Sequence, residues 1–277
     1  MRHCHFMHLY NELSFLKQKL PFLYDNFDQL IFYDLNIYAP YEGKPMCFST
    51  DGSHEYIKEF PDPDNKITLI ERMDLHSVGI SPGVGTIAKR KMYIIASAYV
   101  VDDIDTFWDI GADEFFYEDA ILEVEEIFTR DGNVNSVYFD MITFVRDYRF
   151  EMSTPISSTT AYDPNYLGRV ARHKVGNVYG HGDIGVHYKK LQMAERSKIL
   201  HFTAITKDRV LFKLSPPERT IREGFWEAWD GFDEKQIGDE IYGYPYMHMN
   251  PIVKTGVRRF TDRYPSYMNL DEMPRDK

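Results

Sequence analysis

The chain has 277 residues, 43% of them apolar, which is enough to bury a sizeable core and too apolar for a disordered polypeptide. Two cysteines, Cys4 and Cys47, exclude a disulfide scaffold and a four-cysteine zinc module, and no apolar run reaches the roughly 20 residues of a membrane span. A net charge of −11, from 43 acidic and 32 basic residues, argues against nucleic acid or an anionic membrane as the main partner.

Apolar residues at 13, 16, 20 and 23 predict a helix over 13–23, ended by Tyr24-Asp25-Asn26. Residues 29–33 form a strand-length apolar run that stops at Asp34. A loop with Ala39-Pro40 and Ser49-Thr50-Asp51-Gly52-Ser53 follows. Asp51 or Ser53 can cap a short helix through Phe60, which Pro61-Asp62-Pro63-Asp64 closes. A strand at 67–70, a Gly-rich loop over 79–85, a helix over 86–101 and a strand at 106–110 come next. A helix over 117–128 ends at the turn Arg130-Asp131-Gly132-Asn133, before a strand-like run over 134–146. This alternation predicts an α/β fold with a largely parallel sheet, whose ligands sit beyond the carboxyl ends of the strands. From Pro216 onward Trp, Tyr, Gly and Pro dominate, which reads as an appendage packed on the core or on a partner.

Three loops at predicted strand ends carry carboxylates: Asp34, the stretch 71–74, and the stretch 109–114. In extended geometry residues 109, 111 and 113 share a face, while Glu114 points the other way. Asp113 can then reach an open site, with Asp109 deeper on the same face. Such oxygen ligands suit Mg²⁺ or Mn²⁺, which bind substrate phosphates. The competing reading is a solvated acidic turn capping the next helix.

The ordered set of segments resembles GT-A glycosyltransferases related to family 2. Asn11-Glu12 with Phe15-Leu16, Leu20-Pro21-Phe22 and Phe27-Asp28-Gln29-Leu30-Ile31 resembles their opening, and residues 49–55 resemble their Ser-x-Asp-Gly-Ser/Thr loop. Gly85 with Ala88-Lys89-Arg90 resembles the stretch before their acidic motif, and residues 108–116 resemble its Asp-x-Asp-Glu-Phe form. Leu200-His201-Phe202 with Arg209 and Lys213 resembles a late His-Tyr/Phe…Lys segment. The resemblance covers 1–213 and implies a GT-A-like three-layer sandwich with a mostly parallel central sheet. Residues 214–277 would be a C-terminal extension serving the acceptor side or an oligomer contact.

What the resemblance implies for function is transfer of a sugar from a nucleoside-diphosphate sugar, UDP-linked, to an acceptor hydroxyl, with a glycan as the default acceptor. Asn11, Glu12, Asp34, Lys89, Arg90, Asp109 and Gly111 would line the donor site. Asp113 would hold Mn²⁺ or Mg²⁺, and His201 would be a late metal ligand or a phosphate contact. Gly111 stands where the family has its first aspartate, so that contact is lost or is supplied by Asp109. If the anomeric configuration inverts, the acceptor needs a general base. Asp183 in Gly180-His181-Gly182-Asp183 is the first candidate, with Asp140 and Glu151 in reserve. Two alternatives stay open: a nucleotide-sugar-binding scaffold without turnover, and transfer to a modified base in viral DNA. A cytoplasmic setting is expected from the cysteine usage and an N-terminus without signal-peptide features.

Other patterns carry less. His3, Cys4, His5 and His8 invite a metal reading, but 3 and 5 fit strand alternation and core packing. Gly79-Ile80-Ser81-Pro82-Gly83 matches a serine-hydrolase elbow, yet Pro82 has no N–H to offer an oxyanion. A glycosidase is poorly supported, because adjacent Asp113 and Glu114 would diverge. No P-loop or G-x-G-x-x-G is present. Trp226 and Trp229 form an aromatic stripe, read as packing or as an exposed platform for a sugar or a partner.

Overall fold

A computed structural model describes residues 1–36, 46–71, 84–152, 156–157, 169–174, 190–214, 229–238, 242–243 and 254–275. The chain opens with β1 (His3–Leu9), six of whose seven residues are buried. Both faces of the strand are covered, so His3 and His5 on one face and Cys4 and Phe6 on the other are all buried. Next come α1 (Leu13–Asn26), β2 (Gln29–Asp34), α2 (Ser53–Glu59), β3 (Ile67–Ile70) and α3 (Val84–Ser97). They are followed by β4 (Thr106–Asp109), β5 (Glu114–Phe116) and α4 (Ala120–Arg130).

The four strands β3-β2-β1-β4 pair in parallel, with β1 central. Their side chains divide the core. Met7, Leu9, Leu30 and Phe32 meet Leu16, Leu20 and Leu23 of α1 and Val124, Ile127 and Phe128 of α4. Cys4, Phe6, Ile31 and Tyr33 meet Met92, Tyr93 and Ala96 of α3 on the other face. Helices therefore cover both sides of a parallel sheet, giving three layers. Tyr24-Asp25-Asn26 does not end α1; the helix runs to Asn26 with Pro21 inside it.

Beyond β4 the sheet turns mixed. Here lie β6 (Ser136–Val145), β7 (Asp147–Met152), β8 (Ile156–Ser157), β9 (Val170–Arg172) and β10 (Leu191–Ala204), then α5 (Lys207–Leu214). β9 lies antiparallel between β4 and β6. β10 runs parallel to β6 and antiparallel to β5, so it links the acidic segment to the second half of the sheet.

The described part of 214–277 packs on this core. After the short β11 (Tyr242–Gly243) and β12 (Lys254–Thr255), β13 (Val257–Arg259) adds to the sheet against β7. Phe260, Tyr264, Tyr267, Met268 and Leu270 then cover a cluster of Phe15, Phe115, Phe144, Leu200 and Phe202. Trp229 is fully buried, as the packing reading and not the exposed-platform reading requires, with the Arg146 guanidinium 4.5 Å from its ring centre. Trp226 lies outside the described residues. No helix among the described residues is long and apolar enough to cross a membrane.

Candidate functional site

The parallel strands end together, and the loops that leave them meet. β1 runs into Tyr10-Asn11-Glu12, β2 stops at Asp34, and β4 stops at Asp109. Asn11 adopts φ 55°, a left-handed conformation that asparagine tolerates better than most side chains. The turn lets the chain leave β1 and enter α1 at once.

Ser49-Thr50-Asp51-Gly52-Ser53 is the brace of this corner. Ser49 Oγ accepts from Asn11 N at 2.8 Å and donates to Asp34 Oδ1 at 2.5 Å. Ser53 Oγ accepts from Glu12 N at 3.1 Å and donates to Asp51 Oδ1 at 2.6 Å. Asp51 Oδ2 accepts from Leu13 N at 2.9 Å, and Asn11 Oδ1 accepts from Thr50 N at 2.8 Å. Three backbone N–H groups at the entry of α1 are thus satisfied by side chains about 40 positions away. A helix start needs such acceptors, and here the loop supplies them in place of a local cap.

Asp34 is fully buried. Besides Ser49, its Oδ2 meets His54 Nδ1 at 3.0 Å, and the His54 ring stacks on Phe48 with centroids 4.5 Å apart. Burial pushes the Asp34 carboxyl above its ordinary range, against the pull of Ser49 and His54. The geometry gives this carboxylate a bracing task at the floor of the site.

The acidic segment is threaded by three cations. Lys19 of α1 is fully buried, and its Nζ donates to the carbonyl oxygens of Gly111 at 2.7 Å and Glu114 at 2.6 Å. Burial brings its pKa down to about 7, while Glu114 and Asp113 oppose the fall. Arg169 pairs with Glu114 and also reaches the Asp109 carbonyl at 3.2 Å. Arg209 of α5 bridges two carboxylates, meeting Asp113 Oδ2 at 2.5 Å and pairing with Glu12. Its Nε donates to the Phe202 carbonyl at 3.2 Å, and its guanidinium lies 4.6 Å from the Phe15 ring centre.

His201 sits on β10 opposite Glu114, with Nε2 3.7 Å from Asp113 Oδ2. Asp109 Oδ2 accepts from Tyr93 of α3 at 2.7 Å. The fold therefore gathers Asn11, Glu12, Asp34, Asp109, Gly111, Asp113 and His201 around one end of the sheet. Lys89 and Arg90 fall on the backbone of α3, their side chains outside the described residues. Asp183 lies outside the described residues altogether.

Asp140 and Glu151 stand elsewhere. Asp140 on β6 is opposite Ser157 and Lys198. Glu151 on β7 is buried, with Oε1 2.6 Å from Arg258 Nε and Oε2 without a hydrogen-bond partner. Burial raises its carboxyl pKa against the Arg258 guanidinium. The N-terminal histidines are structural. His3 Nδ1 is 2.7 Å from Thr106 Oγ1, and His8 Nε2 is 3.0 Å from the Leu35 carbonyl.

A divalent ion of the Mg²⁺ or Mn²⁺ kind needs hard oxygens open to it. Asp113 is engaged by Arg209, position 111 has no side chain, and the nearby carbonyls face Lys19. Among the described residues no three His, Cys, Asp or Glu side chains gather as a metal-holding group. Arg209 stands between Glu12 Oε2 and Asp113 Oδ2, so an ion joining those two oxygens would have to displace it, and the donor set as folded is arranged for a guanidinium.

Sequence reasoning missed Lys19, Arg169 and the bridging task of Arg209. Lys19 left one signal: it falls inside the apolar stripe marked by Leu16 and Leu23, where a solvated lysine has no place.

No protein family model matches the chain, and no curated protein matches it. Among solved structures the chain is similar to S. aureus TarS 1–349, at 10% identity over 73% of this chain and 61% of that one, with a TM-score of 0.44. It is also similar to the same TarS segment in complex with UDP-GlcNAc, at 9% identity over 76% and 61%, with a TM-score of 0.42. A third is mannose-1-phosphate geranyltransferase from Thermus thermophilus, at 8% identity over 79% and 62%, with a TM-score of 0.27. The chain spans less than two thirds of each of these structures.

Proposed function

We propose that this chain is a GT-A-type glycosyltransferase that moves a sugar from a UDP-linked donor to an acceptor hydroxyl, a glycan by default. One observation supports this above the others. The ends of β1, β2 and β4 converge on one corner, where Glu12 and Asp113, 101 positions apart in the chain, are joined through Arg209. Open α/β sheets bind ligands at that end of their strands.

In this reading Asn11 and Glu12 line the floor and Asp34 holds the floor rigid through Ser49 and His54. Departure of the nucleoside diphosphate builds negative charge on its oxygens. Lys89 and Arg90, about one helical turn before Tyr93 on α3, are assigned to meet that charge. His201 is assigned a phosphate contact. Asp183 is the assigned acceptor base; Asp140 and Glu151 stand away from this corner and are not assigned to it.

The test is thermal unfolding with a panel of nucleoside-diphosphate sugars, followed by assays of donor hydrolysis and transfer. A bound donor raises stability by about 2.7 kcal/mol when present at about 100 times its Kd. UDP-sugars should raise the midpoint, and Lys89→Ala/Arg90→Ala should weaken UDP more than uridine. A panel in which no nucleotide sugar moves the midpoint refutes the proposal. Binding without hydrolysis or transfer reduces it to a nucleotide-sugar-binding protein.

A further inference from the structure

We infer that Arg209 is a built-in cation that holds the place of a divalent metal between Glu12 and Asp113, so that the donor is bound without a metal ion. The inference rests on the nucleotide-sugar reading above and concerns how that site handles charge.

Four features of the geometry carry it. First, the guanidinium bridges both carboxylates, and such forked donors match paired carboxylate oxygens well. Second, Arg209 is anchored from other sides as well, by the Phe202 carbonyl at 3.2 Å and the Phe15 ring at 4.6 Å. Taking the carboxylates for a metal would mean freeing the guanidinium from all of these contacts.

Third, the buried acids of the segment already have cationic partners. Glu12 and Asp113 share Arg209, and Glu114 pairs with Arg169. An added divalent ion would leave excess positive charge in a poorly solvated place. Fourth, position 111 faces two acids. A Cβ there would lie 3.2 Å from Asp113 Oδ1 and 3.4 Å from Glu114 Oε2, so without a metal a third acid would add a like charge beside them. A glycine at 111 and an arginine at 209 then have one explanation: the cation is covalently part of the chain.

The experiment uses the full chain and Mn²⁺ alone, read by the electron paramagnetic resonance signal of the free ion. The wild-type protein should leave that signal unchanged. Arg209→Met removes the cation between Glu12 and Asp113 and should raise Mn²⁺ affinity by about tenfold or more, and Arg209→Met/Gly111→Asp should raise it at least as far. Wild-type binding of Mn²⁺ that disappears in Asp113→Asn overturns the inference. So does a folded Arg209→Met that remains blind to Mn²⁺.

If Arg209→Met does not fold by circular dichroism, calorimetry on the wild type decides. UDP affinity in EDTA should match that in MnCl₂ within about twofold, whereas a loss of about tenfold or more in EDTA overturns the inference. UDP binding in neither condition refutes the donor reading instead, and the wild-type Mn²⁺ titration still judges Arg209.

Discussion

Lys19 makes the stability of the fold depend on pH in an unusual direction. Its Nζ is fully buried and titrates near 7 in the native state, against an ordinary lysine value of 10.5. Between those values the unfolded chain binds more protons than the native one, so stability rises with pH. Below about pH 7 both states carry the charge and the burial penalty is complete. The penalty lifts as pH climbs toward about 10.5, with a slope approaching about 1.4 kcal/mol per unit. From about pH 7 to about pH 9 the group contributes roughly 2 kcal/mol, because at the lower limit the native lysine is already about half neutral.

Lys19→Met removes the titrating amine at similar volume and takes away the donors to the Gly111 and Glu114 carbonyls. Urea denaturation of both proteins at pH 7, 8 and 9 isolates the effect, since all other titrations are shared. The wild type should gain about 2 kcal/mol more than the variant across that interval. Parallel profiles would refute the burial and charge argument for the acidic segment.

Two further changes test the core. His5 is fully buried on β1, with neither ring nitrogen hydrogen-bonded, so His5→Leu should raise stability by about 1–3 kcal/mol in chemical denaturation. Burial also lowers the His5 pKa, so the unfolded chain protonates first and the wild type loses stability as pH falls below the ordinary value of 6.5; the variant should lose less. Tyr267 stacks on Phe22 at 4.0 Å and donates to the Phe116 carbonyl at 2.7 Å. Tyr267→Ala should cost about 3 kcal/mol, and a loss below about 1 kcal/mol would show that the C-terminal segment is no part of the core.

Much of the first half was legible in the sequence because its signals are local. Hydrophobic period and turn residues mark the strand Ile67–Ile70 at its observed limits, and they mark α1, β2, α3 and β4 to within a few residues. Boundaries slipped where tertiary contacts outvoted local signals. α1 passes through Tyr24-Asp25-Asn26 because Leu20 and Leu23 are packed under β1 and β2, and Tyr24 and the Phe27 that follows lie in the same cluster. The carboxylates at strand ends were legible too, because strand ends in parallel sheets are where loops collect ligands.

What the sequence alone determined is the order of α1, β2, α2, β3, α3, β4, α4 and β6, the α/β expectation for the parallel half, and which acids stand near one end of the sheet. What only the tertiary structure decided is how those acids are held. Asn11, Glu12 and Leu13 find their hydrogen-bond partners in the 49–53 loop, Glu12 meets an arginine 197 positions later, and Asp113 meets the same arginine across 96 positions. No period or local motif encodes such pairings. They arise when burial strips water from several charges at once and each must find an opposite charge among whatever residues the packed sheet brings within a few ångströms. The same reason left open whether the C-terminal segment packs on the core or on a partner, until the fold set Phe260, Tyr264 and Tyr267 over Phe15, Phe115, Phe144 and Phe202.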